Sequence, residues 1–209
     1  MAIKNKEKNI IYGIFLVIYL FLIYYNHIND SKWLIDNVLS IALITFIFLI
    51  SGWLKLDKYT FVLFNLALLT HNLGTFDFYS WSYSFIEYDM IVHFFNSLVG
   101  GIILFNFVVL KLHLNKKETP AHKLISEHKL IMIILVIALV TTLGTMVELL
   151  EFFGFSFLGT GDGILFYGSG DGIFQNYSDT MVDVLVNLIG AIFGVIIYYL
   201  KSYKKIVSF

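Results

Sequence analysis

Six apolar runs, each about 20 residues long and set apart by short polar segments, constrain this chain more than any other feature. A hydrocarbon core roughly 30 Å thick needs about that many apolar residues for each helical crossing. The runs predict helices over residues 10–28, 33–53, 59–75, 89–112, 130–153 and 179–200. The expected fold is therefore all-α: a polytopic membrane protein, a six-helix transmembrane bundle forming one domain over 1–209. The composition agrees, with 58% hydrophobic and 14% charged residues. The first run is long for the core of a secretory signal, and no small-x-small cleavage pattern follows it.

Charge is the next constraint. There is no cysteine, which excludes a disulfide framework and a thiolate metal site. There is no arginine either, so bidentate clamps on phosphate or carboxylate are unavailable. Nothing suggests nucleic acid as a partner. All the lysines except Lys32 fall in the N-terminal segment, the 55–58 turn, the 111–129 loop or the C-terminal tail. The positive-inside rule then predicts that both termini are cytoplasmic. The acids distribute the other way. Only Glu7, Asp57, Glu118 and Glu127 fall on the inner side. Asp30, Asp36, Asp77, Glu87, Asp89, Glu148, Glu151, Asp162, Asp171, Asp179 and Asp183 all fall on or near the outer side.

Helical spacing sorts these acids further. Asp89, His93, Asn96 and Gly100 share one face of the fourth helix. Gly144, Glu148 and Glu151 share one face of the fifth. On the sixth, Asp179, Asp183 and Asn187 form a stripe that continues through Gly190 and Gly194. Asp36, Asp89 and Asp179 begin helices, where capping alone explains an acid. Glu148 and Glu151 stand near a helix C-terminus, where the dipole disfavours them, and Asp183 is a full turn inside its helix. Several carboxylates at membrane depth need a cation, shared protons or a hydrated vestibule. Helix bundles hold metals with carboxylates and imidazoles projecting inward from facing helices. The candidate metal ligands are accordingly Asp89, His93, Glu148, Asp179 and Asp183, around a divalent ion: Mg, Mn, Ca or Zn. Glu151 and His93 are the candidate catalytic groups, with Glu151 as general base.

Two loops stand apart. Residues 76–88 are dense in aromatics and lack lysine, which suits the headgroup level. GTGDGIL at 159–165 recurs as GSGDGIF at 168–174. Two copies are too few for a repeat fold. A pair of Gly-rich turns over the helix ends is the plainer reading, and Asp162 and Asp171 as extra cation ligands is the sharper one.

The segments YDMIVHFFNSLVGG (88–101), ELLE (148–151) and DTMVDVLVNLIGAIFG (179–194) resemble the YjdF-like family of small prokaryotic inner-membrane proteins. They also resemble, more distantly, the VanZ-like family, which has an acid and a His early in one helix, a later Glu, and an Asp-x3-Asn-x2-Gly helix. That last element reads Asp183, Asn187, Gly190 here. The resemblance spans roughly residues 59–200 and implies a six-helix membrane protein. The glycopeptide resistance associated with VanZ-like relatives implies a role at the cell envelope. The basic residue often found in that family between the Glu and Asp elements is absent, because residues 149–182 contain neither Arg nor Lys.

Two functional readings follow. One is a metal-dependent hydrolase or transferase acting on a membrane lipid or lipid-linked headgroup at the outer leaflet. The other is a cation- or proton-binding transporter, or an accessory envelope protein without catalysis. The sequence contains no HExxH and no Gly-x-Ser-x-Gly elbow. Nothing in it indicates an oligomeric state.

Overall fold

The computed structural model describes residues 5–31, 33–54, 56–115, 121–158 and 177–207. Six helices account for nearly all of them: α1 (Asn5–Ile28), α2 (Leu34–Ile50), α3 (Lys58–Asn72), α4 (Tyr88–Asn115), α5 (Ala121–Leu158) and α6 (Tyr177–Val207). The described residues are thus all-α apart from a two-residue hairpin pair, β1 (Ser82–Tyr83) and β2 (Ile86–Glu87). The Gly-Asp repeat at 159–174 lies outside the described residues.

Among the described residues, four segments are long and apolar enough to cross a membrane: Lys6–Ile28, Tyr88–Lys111, Glu127–Phe153 and Asp179–Leu200. The other two helices are shorter than their apolar runs suggested. Helix α2 has 17 residues and α3 has 15, or about 25 and 22 Å at 1.5 Å per residue. The Asp57 carboxylate accepts the Thr60 N–H at 2.8 Å and starts α3 one residue before its apolar run, so the shortfall lies at the other end, where the chain tightens into the 3-10 turn Leu73–Phe76. The long helices err in the other direction and continue past the apolar runs. Hydropathy marks the hydrocarbon core, whereas helical hydrogen bonding continues into polar sequence. Helix α5 illustrates this. It begins at Ala121, departs from helical geometry at His128 (φ −117°, ψ 16°), and then runs into the apolar span.

The helices pack as two groups. Phe15, Tyr19 and Leu22 of α1 meet Ile44 of α2, with Phe64 and Leu68 of α3 alongside. Phe105, Val109, Met132, Val136, Val140, Ala191 and Val195 form the core of α4, α5 and α6. Helix α3 packs on α4 and joins the groups. Helices α4 and α6 make the closest approach, with Gly101 against Gly194 and Gly190 against Ser97. Small residues at such crossings let backbones approach where lipid supplies no hydrophobic drive.

The interior is polar for a helical protein and the exterior apolar. Asn26, Asp36, Asn37, Asn65, Asn72, His93, Glu148, Glu151, Asp183 and Asn187 are all buried. Leu49, Leu130 and Ile131 are among the many large apolar side chains left exposed. Hydrocarbon solvates those, and the polar groups must satisfy one another inside. Ser40 and Asn72 do so across α2 and α3 at 2.8 Å, and Asn26 donates to Thr75 at 3.1 Å.

The aromatic segment forms two 3-10 turns, Leu73–Phe76 and Phe78–Ser80, followed by the hairpin. Asp77 joins the turns in left-handed conformation (φ 62°), and its carboxylate accepts from the Ser80 hydroxyl at 2.8 Å. This folded connection returns the chain to α4 with Tyr79 turned inward.

Candidate metal centre

His93 is the hub of the site. Its Nε2 lies 3.5 Å from Asp89 Oδ1, one turn earlier on α4, and 3.3 Å from Glu148 Oε1 on α5. Its Nδ1 meets the side-chain amide of Asn187 on α6. Asn187 Nδ2 is 3.1 Å from Nδ1 and Oδ1 is 3.4 Å away. The amide therefore serves either tautomer, donating when Nδ1 is bare and accepting when Nδ1 carries the proton. Ser97 anchors that amide by donating its hydroxyl to Asn187 Oδ1 at 2.6 Å. Gly144 makes room for it, since a Cβ on this residue would stand 2.6 Å from Asn187 Cγ.

Asp89, His93 and Asp183 each offer a ligand atom, all within 4.8 Å of one another. His93 and Asp183 are buried and Asp89 is half-buried. Ligands held about 2.1 Å from an ion lie roughly 3–4 Å apart, so a small contraction would close the group on a metal. Two carboxylate oxygens and one imidazole nitrogen leave coordination positions open for water or substrate.

The remaining candidates fall around this group. Glu148 is buried beside His93. Glu151 is buried and lines the neighbouring cavity. Asp179 is half-buried in the first turn of α6, one turn before Asp183, and outside the three-residue group.

The cavity has a volume of about 290 Å³ and lies along the α4 face that carries Asp89, His93, Asn96 and Gly100. Two larger hollows, of about 600 and 570 Å³, lie elsewhere and are lined mainly by apolar groups. The far wall of the site cavity carries a second polar set. His71 places Nδ1 2.8 Å from the Tyr79 hydroxyl and Nε2 3.4 Å from Asp36 Oδ1. Asp36, in the first turn of α2, is buried with its Oδ1 against His71. Burial, reinforced by the negative charges of Asp89 and Glu151, holds the Tyr79 phenol well above its ordinary pKa. Tyr79 is therefore a neutral hydrogen-bonding group facing the acids.

The sequence did not bring this wall together: Asp36 read as a helix-start acid, and Tyr79 as part of the aromatic segment at the headgroup level. The Asp36/Ser40 spacing of one turn was the available signal, because Ser40 pairs with Asn72, the neighbour of His71.

No curated protein and no solved structure matches the chain. A family model does, over residues 8–204 and so over nearly its whole length, in agreement with the YjdF-like resemblance of the motifs. The chain belongs to the family described as "Predicted membrane protein (DUF2238)".

Proposed function

We propose that this protein holds a divalent metal ion between Asp89, His93 and Asp183 and acts as a hydrolase or transferase on a lipid or lipid-linked headgroup. The observation that carries the reading is the convergence of these three side chains, drawn from α4 and α6, on one buried point beside a cavity. Buried acids with no arginine anywhere in the chain call for a cation. Lysine placement supports a prokaryotic inner-membrane protein with six crossings and both termini cytoplasmic. The site then opens toward the outer leaflet, as the resemblance to the VanZ-like family would imply.

A metal in this position would supply Lewis-acid polarisation of the scissile group or of water. The chain supplies the rest. Glu151, on the cavity wall, takes the proton of the attacking water or hydroxyl. Asn187 and Ser97 hold the imidazole. Tyr79, kept protonated, offers its hydroxyl to the headgroup from the opposite wall.

Elemental analysis of detergent-purified protein tests the reading. One divalent ion per chain in wild type, absent from Asp183→Asn, is the expected outcome. Wild-type protein that stays metal-free after incubation with Mg²⁺, Mn²⁺ and Zn²⁺ refutes it. A lipid-headgroup hydrolysis screen on loaded protein follows.

A further inference from the structure

The site cavity changes character along its length. At one end stand Asp89, His93, Glu151, His71 and Tyr79. Past Asn96 the lining becomes Leu43, Leu68, Gly100, Val140 and Leu143. These residues come from α2, α3, α4 and α5. Leu43 of α2 and Leu143 of α5 also reach the outer surface, at 41% and 57% exposure. Both residues also line the cavity, so its apolar half comes to the surface beside them. Gly100 lowers its floor, because a Cβ there would touch only Val140, at 3.6 Å.

We infer that this groove is the chain-binding half of a lipid site, in which one acyl chain of a membrane lipid lies over Gly100 with its headgroup at His93. The inference rests on the reading of the cluster as a headgroup site. Three observations select the occupant. The opening lies on a surface of exposed leucine and isoleucine that only hydrocarbon solvates. The groove leads directly from that surface to the acids, so an amphiphile entering sideways brings its polar end to His93 without leaving the bilayer. The volume of about 290 Å³ admits a headgroup and the start of one chain, and no second chain.

The test uses the full chain in phosphatidylethanolamine vesicles doped with phosphatidylglycerol carrying a photoreactive diazirine near the carbonyl end of one chain. Cross-linked peptides are mapped by mass spectrometry, with the exposed Ile134 and Leu150 reporting ordinary surface lipid. Label on Gly100 and Val140 is expected. It should fall about tenfold against that reference in Gly100→Phe, the loss equivalent to unburying roughly two methylene groups. Leu43→Trp, which narrows the opening at an exposed position, should do the same and decides the matter if Gly100→Phe does not fold. Label confined to Ile134 and Leu150, or unchanged in both variants, overturns the inference. Metal content measured on the same samples separates the two ideas. Label lost by plugging in a metal-free wild type upholds the groove and refutes the metal site; bound metal with unchanged label does the reverse.

Discussion

Substituting Gly144 by Ala perturbs the site without touching any ionisable group. The new Cβ would stand 2.6 Å from both Cγ and Nδ2 of Asn187. Nonbonded carbon atoms settle at about 3.5–4.0 Å, so the amide must retreat by roughly 1 Å. Its Oδ1 accepts from Ser97 at 2.6 Å and, when Nε2 of His93 is left bare for a metal, from His93 Nδ1–H, with Nδ1 3.4 Å away; both bonds cannot survive that movement. Each is worth about 1 kcal/mol net, and up to about 3 where a buried group is left unmatched. Alanine returns up to about 1 kcal/mol over glycine inside a helix. The net expectation is a destabilisation of about 1–3 kcal/mol, together with a 10–100-fold loss of metal affinity of the order seen when an outer partner of a ligating histidine is removed. Gly100→Ala is the control, since its Cβ meets Val140 at an ordinary 3.6 Å; it should gain roughly 0.5–1 kcal/mol from helix propensity. Equilibrium unfolding in mixed micelles and metal titration of both variants supply the readout. A Gly144→Ala protein as stable as Gly100→Ala, with wild-type metal affinity, would refute the claim that Gly144 exists to seat Asn187.

Ser97→Ala should weaken metal binding by about tenfold while changing stability by only about 1 kcal/mol, because it frees the Asn187 amide that orients His93; unchanged affinity on titration would remove Ser97 from the site. Tyr79→Phe should alter the alkaline limb of stability. An unfolded tyrosine ionises near pH 10, whereas folded Tyr79 retains its proton to higher pH. The wild type therefore keeps the full contribution below pH 10 and loses it as pH rises beyond. The variant should lose less between pH 9 and pH 11, and equal losses would show that Tyr79 is not the group responsible. Asp57→Ala removes the carboxylate that accepts Thr60 N–H and should cost about 1 kcal/mol in an unfolding titration, with no change in metal content.

Hydropathy determined the class of fold, because a run of apolar residues has few stable alternatives to a membrane helix once every backbone group must be satisfied internally. Helical periodicity likewise put Asp89 with His93, Glu148 with Glu151, and Asp183 with Asn187, since residues three and four apart share a face whatever the fold. The lengths of α2 and α3 were less legible, because each leaves α-helical geometry at its C-terminal end, for a turn at 51–54 and a 3-10 turn at Leu73–Phe76, and hydropathy does not register that change. Which stripes meet was a tertiary matter. Asp183 reaches Asp89 and His93 because glycines bring α6 close to α4, and Gly144 leaves the space that Asn187 fills. The Asp36–His71–Tyr79 wall needed the tertiary structure altogether. Its members come from α2, the last turn of α3 and a 3-10 turn, and no single helical period links them. Local pattern states which side of a helix is polar; only the packing of one helix on another decides what that polar side faces.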